Sequence, residues 1–148
     1  MKKLICLIIF GVMILSLQGC GKSSGNGGGN GLKNQKVENY LVKVVYDGTE
    51  TTSYSIEDIK KMPTTKFELD GSTEEGPSIL NMLKENNIKD YSKITFIGMM
   101  KDSVTLTKEQ VEKDTLLDIT NHDTVKLATK AIDKNKWTKD IATIKVEK

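Results

Sequence analysis

Residues 21–31 limit what this chain can fold into, because they separate two parts of the sequence that we expect to behave independently. They contain only glycine, serine, asparagine and Lys22, and they carry no apolar side chain. Such a composition cannot bury apolar surface and is typical of a flexible tether. The sequence therefore predicts a tether over residues 20–36 and one small domain over residues 37–148.

The segment before the tether has the pattern of a secretory signal. Lys2 and Lys3 make a short basic start after Met1, and residues 4–17 are largely apolar but too few to span a bilayer stably. Residues 17–20 read Leu-Gln-Gly-Cys. This resembles the bacterial lipobox, with glutamine where a small residue is more usual. We expect a signal peptide over residues 1–19, although a plain secretory signal with an incidental cysteine is the alternative.

The lipobox resemblance implies that Cys20 becomes an acylated N-terminus. Its thiol would carry a diacylglyceryl group, and several acyl chains on one residue give stable anchoring. The expected partner of this end of the chain is therefore the membrane. The expected location is the extracytoplasmic face of the cell membrane, where the tether would let the domain move roughly 20–25 Å from its anchor.

Removal of residues 1–19 changes the composition that matters for function. Lys2 and Lys3 account for the formal net charge of +2, so residues 20–148 are formally neutral, and the sequence has no arginine. A neutral domain lacks the basic field that holds nucleic acid, so we expect no nucleic-acid partner. With Cys6 removed and Cys20 acylated, no thiol remains for a disulfide, a metal site or a nucleophile within one mature chain.

The domain alternates strand and helix patterns. Alternating apolar residues predict strands over residues 40–46, 50–54, 64–69, 93–100, 103–106, 124–132 and 141–147. Capping residues predict three short helices: Ser55 with Asp58 begins one over residues 56–62, Thr107 with Gln110 begins another, and Pro77 starts a helix that runs to about Asn86. Residues 70–76 read as a polar loop. The expected fold class is α+β, with mixed or mainly antiparallel strands.

Four segments of the domain resemble the molybdopterin-binding domain of the sulfite oxidase family in its short form. They are residues 54–63 (YSIEDIKKMP), 75–80 (EGPSIL) with Leu83, the paired strands 94–97 and 102–106, and residues 136–146, which open with Lys136-Trp137. The resemblance implies the fold of that family. It also implies that Lys136 faces a pterin phosphate and that Trp137 lines a ligand cleft, although a core position for Trp137 is the favoured alternative.

The chain departs from that family at its cofactor. Family enzymes hold molybdenum through a cysteine thiolate and grip the pterin phosphate with arginines. The loop over residues 69–75 offers no cysteine, and lysine does not replace arginine in a bidentate phosphate contact. We therefore expect no cofactor, with molybdopterin as the alternative, because fold similarity does not carry a function whose site is missing.

The remaining candidates for chemistry have ordinary structural interpretations. His122, with Asp118, Asn121 and Asp123 near it, is thin for a metal site and is typical of a polar loop between strands. Ser78 and Ser103 lie outside any nucleophile elbow. Met99 and Met100 fit a core strand better than an adaptable binding surface or a metal–thioether site. A local basic region offers either solvated faces or weak attraction to anionic polymers or headgroups, and comprises Lys126, Lys130, Lys134, Lys136 and Lys139.

Together these patterns favour a lipid-anchored, extracytoplasmic binding module that has no catalytic role and binds an unidentified small ligand or protein. The alternatives are an oxidoreductase with molybdopterin or another cofactor, and an accessory subunit of a membrane redox complex.

Overall fold

The computed structural model describes residues 39–148. The predicted signal peptide (1–19), Cys20 and the tether (20–36) lie outside these residues. The strands are β1 (Leu41–Tyr46), β2 (Thr49–Ser55), β3 (Thr64–Leu69), β4 (Ser72–Pro77), β5 (Lys93–Gly98), β6 (Ser103–Thr107), β7 (Thr115–Ile119), β8 (Val125–Thr129) and β9 (Ile141–Glu147). The helices are α1 (Ile56–Lys61), α2 (Ile79–Glu85) and α3 (Lys108–Val111), and a 3₁₀ turn spans Lys134–Lys136.

The strands form one five-stranded sheet and two hairpins. The sheet has the order β2-β1-β9-β5-β6. Its β1–β9 pair is parallel and the other pairs are antiparallel. The hairpins β3–β4 and β7–β8 are antiparallel, and a single bridge between Ser78 and Leu116 links them. This arrangement agrees with the predicted α+β class.

The core follows from strand alternation, because every second side chain of a strand points to the same face. Val42 and Val44 of β1, Phe96 of β5, and Ile144 and Val146 of β9 are all buried. Helix α1 buries Ile56 and Ile59, and α2 buries Ile79, Met82 and Leu83. Within residues 39–148, no helix is long and apolar enough to span a membrane.

The predicted helix starts at Ser55 and Thr107 are confirmed. At Ser55 the capping box is complete, because the Ser55 side chain accepts from Asp58 N–H at 3.2 Å and Asp58 accepts from Ser55 N–H at 3.0 Å. At Thr107 the cap N–H donates to Gln110 Oε1 at 2.9 Å. Asp58 and Gln110 fill the third positions. Strands β3 and β9 begin and end where the alternation predicts.

The prediction of a polar loop over residues 70–76 is wrong, because these residues form a turn and then most of β4. Asp70 and Gly71 both have positive φ, at 50° and 73°, which is the geometry of a tight hairpin turn. Glu74 and Gly76 then point inward. The sequence does not predict this strand because its inward position holds the charged Glu74 in place of an apolar residue. The carboxylate can be buried there because lysines pair with it.

Pro77 ends β4 and does not begin a helix as predicted. The N-cap of α2 is Ser78. Gly76 explains the local geometry, because a Cβ at this position would overlap the carbonyl oxygen of Leu117. The backbones of β4 and β7 therefore pass close together. Strand β7 was absent from the predicted elements, and the predicted strand over residues 124–132 is shorter, at Val125–Thr129.

The prediction that Met99 and Met100 lie in a core strand is also wrong. Strand β5 ends at Gly98, and both methionines occupy the turn before β6, where they are exposed. The β5–β9 pairing shifts register between Ile97 and Gly98, so the regular alternation ends there.

Candidate functional site

A buried carboxylate on β4 is the centre of the most unusual polar group in the domain. The Glu74 side chain is only 3% exposed. Its Oε2 accepts a hydrogen bond from Lys126 Nζ of β8 at 2.8 Å, and its Oε1 accepts one from Lys134 Nζ of the 3₁₀ turn. A buried charge requires such partners, because desolvation of an isolated carboxylate costs far more than folding can offset.

Lys126 joins this carboxylate to a second one. Its ammonium also lies 3.0 Å from Oδ2 of Asp118, which pairs with it across the β7–β8 hairpin. We call Glu74, Asp118, Lys126 and Lys134 the Glu74 cluster. It contains two carboxylates and two ammonium groups, so it is formally neutral. The close approach of β4 to β7 at Gly76 brings its two carboxylate-bearing strands together.

Trp137 packs against the Glu74 cluster from the core side. Lys126 Nζ lies 5.7 Å and Lys134 Nζ 5.4 Å from the centroid of the indole ring, within the range of a cation–π interaction. The ring is 7% exposed, and its Nε1 is buried with no hydrogen-bond partner among residues 39–148. Trp137 therefore serves as an apolar and electrostatic support for both lysines, and it lies in the core as the favoured interpretation expects.

The charges shift one another's pKa values. Burial raises the pKa of Glu74, but hydrogen bonds from Lys126 and Lys134 outweigh it and bring that pKa to about 2. Burial raises the pKa of Asp118, and the neighbouring Glu74 raises it further. For Lys126, burial lowers the pKa, but its bonds to the two carboxylates raise it above its ordinary value. At neutral pH Glu74 is therefore a fully formed carboxylate between two cations.

The structure separates the other lysines of the predicted basic region. Lys136 is 64% exposed and its ammonium lies 3.3 Å from Asp133. Lys130 contacts Asp114 at 2.8 Å and lies over the ring of Phe67. A cofactor contact by Lys136 or Trp137 stays a prediction. What the structure adds is that Lys136 does not belong to the Glu74 cluster, although it precedes Trp137 directly.

The other predicted candidates are dispersed. His122 lies in the turn between β7 and β8, where its backbone N–H donates to Thr120 Oγ1 at 3.3 Å. Asp118 faces Lys126, while Asp123 lies 3.4 Å from Lys60. Within residues 39–148, no group of three or more histidine, cysteine, aspartate or glutamate residues is placed to hold a metal.

The two serines have structural positions. Ser78 is the N-cap of α2 and bridges to Leu116. Ser103 begins β6 and pairs with Ile97. Among the described residues, no hydrogen bond joins either serine to His122, so the geometry gives no support to a hydrolase triad.

Among the described residues, the cavities that offer space for a ligand include one beside the β3–β4 hairpin and one beside α1. A small one of about 120 Å³ lies between the β3–β4 hairpin, α3 and the start of β7, and its lining includes Phe67, Ser78 and Val111. A shallow, open groove of about 400 Å³ runs between β2, α1 and the end of α2, and its lining includes Tyr54, Met62 and Glu85. Neither cavity includes a residue of the Glu74 cluster.

The described residues do not fit the pterin cofactor that the resemblance implies. Residues 39–148 contain no cysteine to ligate molybdenum and no arginine to hold a phosphate. The two lysines beside Trp137 are already bonded to Glu74, so their charge is neutralised before any anion arrives. No chemistry through that group follows from this site.

Sequence reasoning missed the central residue of the site. Glu74 lies in a stretch of polar letters, and its burial depends on Lys126 and Lys134, which follow it by 52 and 60 residues. The sequence holds only a weak signal for the Glu74 site. Val125 and Leu127 predict that Lys126 lies on the face of β8 opposite the core, but they do not indicate which carboxylate it meets there.

The described residues thus form a small α+β domain in which two half-buried lysines pair with a buried glutamate. The chain is similar to the sulfane dehydrogenase SoxCD from Paracoccus pantotrophus, with a TM-score of 0.61 and 14% sequence identity. The match covers 78% of this chain but only 39% of that chain, so this protein spans less than half its length. The likeness confirms the predicted fold.

No family profile and no curated protein match this sequence.

Proposed function

We propose that this chain is a lipid-anchored, extracytoplasmic binding module that uses a sulfite oxidase-like fold without catalysis. The observation that carries the proposal is the Glu74 cluster. Glu74 lies on β4, the strand that follows the β3–β4 turn, and its carboxylate neutralises the charges of Lys126 and Lys134 within the domain. The resemblance to the sulfite oxidase family implies that the residues around this turn would lie near the molybdenum.

Electrostatics support this proposal over an enzyme. A site for an anionic cofactor needs cations whose hydrogen-bond donors are free to meet it. Displacing Glu74 from two ammonium groups would leave its carboxylate buried and unpaired, at a cost of several kcal/mol. The cluster is therefore suited to holding β4, β8 and the 3₁₀ turn together, and less suited to exchanging partners with a ligand.

The location is proposed from the sequence. The basic residues 1–3, the apolar residues 4–17 and the cysteine at position 20 support export followed by acylation. The glycine-rich residues that follow support presentation of the domain near the membrane surface, where it would meet an unidentified ligand or protein.

An absorption spectrum of the full-length protein, extracted from membranes in detergent, tests the proposal. We expect no band at wavelengths longer than those of tyrosine and tryptophan, because no conjugated cofactor is bound. A strong additional band in protein with intact lipid would contradict the proposal and favour the oxidoreductase alternative. A redox subunit that co-purifies in equal amount with a colourless chain would favour the accessory-subunit alternative.

A further inference from the structure

The turn between β5 and β6 exposes two large apolar side chains. Met99 is 50% exposed and Met100 is 87% exposed. The turn is well defined, because Gly98 N–H donates to the Asp102 carbonyl at 2.8 Å and Lys101 N–H donates to the Gly98 carbonyl at 3.0 Å. Its hydrogen bonds hold both methionines outward, where neither contributes to the core.

This turn lies at the end of the sheet where the chain enters the domain. Gly98 of β5 pairs with Ile141 of β9, and β9 runs parallel to β1, with Thr143 opposite Lys43. Leu41 is two residues before Lys43 and therefore lies at the same end of the sheet. It is about 10 Å from Gly98, because two strand spacings separate β1 from β5. The Tyr40 hydroxyl fixes this position, because it donates to the Ile141 carbonyl.

Exposed apolar side chains are concentrated at this end. Within residues 39–148, four large apolar side chains are exposed, and three of them, Leu41, Met99 and Met100, lie here. The opposite end carries the Asp47-Gly48 turn and Asp90, which are polar. The domain is therefore amphipathic along its strand direction.

The charges beside the methionines favour an anionic surface. Lys101 and Lys139 are both exposed, and neither is among the residues for which the structure gives an ion pair. Of the two nearby carboxylates, Asp140 is half-buried and accepts a hydrogen bond from Thr124 at 2.6 Å, whereas Asp102 is exposed and its Oδ1 lies close to Gly98. Among the described residues, two ammonium groups without an ion pair and one exposed carboxylate thus flank the methionines, so exposed cations outnumber exposed anions at this turn.

We propose that the Met99–Met100 turn inserts into the surface of the bilayer to which Cys20 anchors the chain. The inference rests on the lipid anchor of the proposed function. Methionine suits this role because its flexible thioether adapts to an irregular apolar environment. Lysine side chains attract anionic headgroups and keep their charge at the interface. The anchor raises the effective concentration of the turn at the membrane to the order of millimolar, so weak insertion is sufficient.

A fluorescent probe at the turn tests this inference. In the full chain, M100C introduces one free thiol, because Cys6 leaves with the signal and Cys20 is acylated. The matched control is T49C, at the exposed turn of the opposite end. Each variant is labelled with an environment-sensitive dye and reconstituted in vesicles that contain phosphatidylglycerol and an acyl-chain quencher. We expect roughly threefold stronger quenching at position 100 than at position 49, since insertion reaches the headgroup–acyl boundary.

Two outcomes would overturn the inference in distinguishable ways. If mass spectrometry shows acylated protein but both probes are quenched equally, the turn does not insert and the anchor proposal survives. If the protein carries no acyl chain and floats free of the vesicles, the anchor proposal fails and the inference fails with it. A further variant, K101E/K139E, is expected to reduce the quenching at position 100 by at least about half, because it reverses the attraction to anionic headgroups.

Discussion

Replacement of Glu74 by glutamine is expected to lower the free energy of unfolding by about 2–3 kcal/mol. The variant keeps the shape of the side chain but removes the charge that Lys126 and Lys134 share. It leaves two ammonium groups beside Trp137 and one carboxylate, that of Asp118, which lies against Lys126. The expected loss is below that of a fully buried pair, because the two lysine side chains are 24% and 37% exposed and retain some hydration. Urea denaturation followed by tryptophan fluorescence measures it.

The same variant is expected to change how stability depends on pH. The folded pKa of Glu74 is about 2, below its ordinary value of 4.5. A depressed carboxylate pKa means that the unfolded chain binds the proton more readily, so stability falls as pH decreases from about 4.5 towards 2. E74Q lacks this contribution and should show a weaker loss across that window.

Asp118→Asn is the matched control for this experiment. Asp118 also pairs with Lys126, but burial and the neighbouring Glu74 raise its pKa, so its charge is stabilised less by the folded surroundings than the charge of Glu74. We expect D118N to change stability by less than about 1 kcal/mol and to retain the acid-dependent loss. If E74Q and D118N were equally mild, Glu74 would not organise the cluster, and the structural argument against cofactor binding would lose its basis.

Replacement of Cys20 by alanine is expected to abolish lipid attachment completely. The thiol is the only proposed site for the diacylglyceryl group, so the variant has no atom that can carry it. We expect no labelled fatty acid in the variant and retention of residues 1–19, because the resemblance to a lipobox implies that cleavage follows lipid transfer. Metabolic labelling and intact-protein mass spectrometry measure both.

Cys6→Ala provides the control for that substitution. Cys6 lies within the apolar segment of the signal and precedes the expected cleavage site, so its removal should leave labelling and maturation unchanged. A C20A chain that still incorporated fatty acid would remove the lipid anchor from the account, and the membrane role of the Met99–Met100 turn would fall with it.

The parts of the fold that sequence reasoning predicted are those governed by local rules. Ser55 and Thr107 begin helices because each forms a capping hydrogen bond with the residue three positions later. Strands β3 and β9 follow from alternation of apolar and polar residues over a short window. Helix caps and strand alternation depend on residues that are close in the chain, so a single sequence is enough to predict them.

The parts that escaped prediction depend on partners far along the chain. Strand β4 reads as polar because its buried position holds Glu74, and the lysines that make this burial possible lie in β8 and the 3₁₀ turn. Met99 and Met100 read as core because they continue an apolar run, whereas the turn and a register shift at Gly98 direct them to solvent. Long-range pairing and turn geometry, rather than hydrophobicity, decide both positions.

The fold alone does not decide whether the domain holds a cofactor. The residues that could bind one, and whether their charges are already paired, bear on that question. A domain can keep the architecture of a cofactor-binding family while its buried charges are paired with one another. Here the Glu74 cluster performs that pairing around Trp137. We therefore propose that this domain works without a molybdenum cofactor.

Molybdenum content tests that claim most directly. The full-length protein should be produced in cells that make molybdopterin, extracted in detergent and measured by elemental mass spectrometry against protein concentration. A molybdopterin enzyme from the same cells verifies that the cofactor is supplied. The account predicts molybdenum far below one atom per chain, whereas near-stoichiometric molybdenum that persists through gel filtration would contradict it.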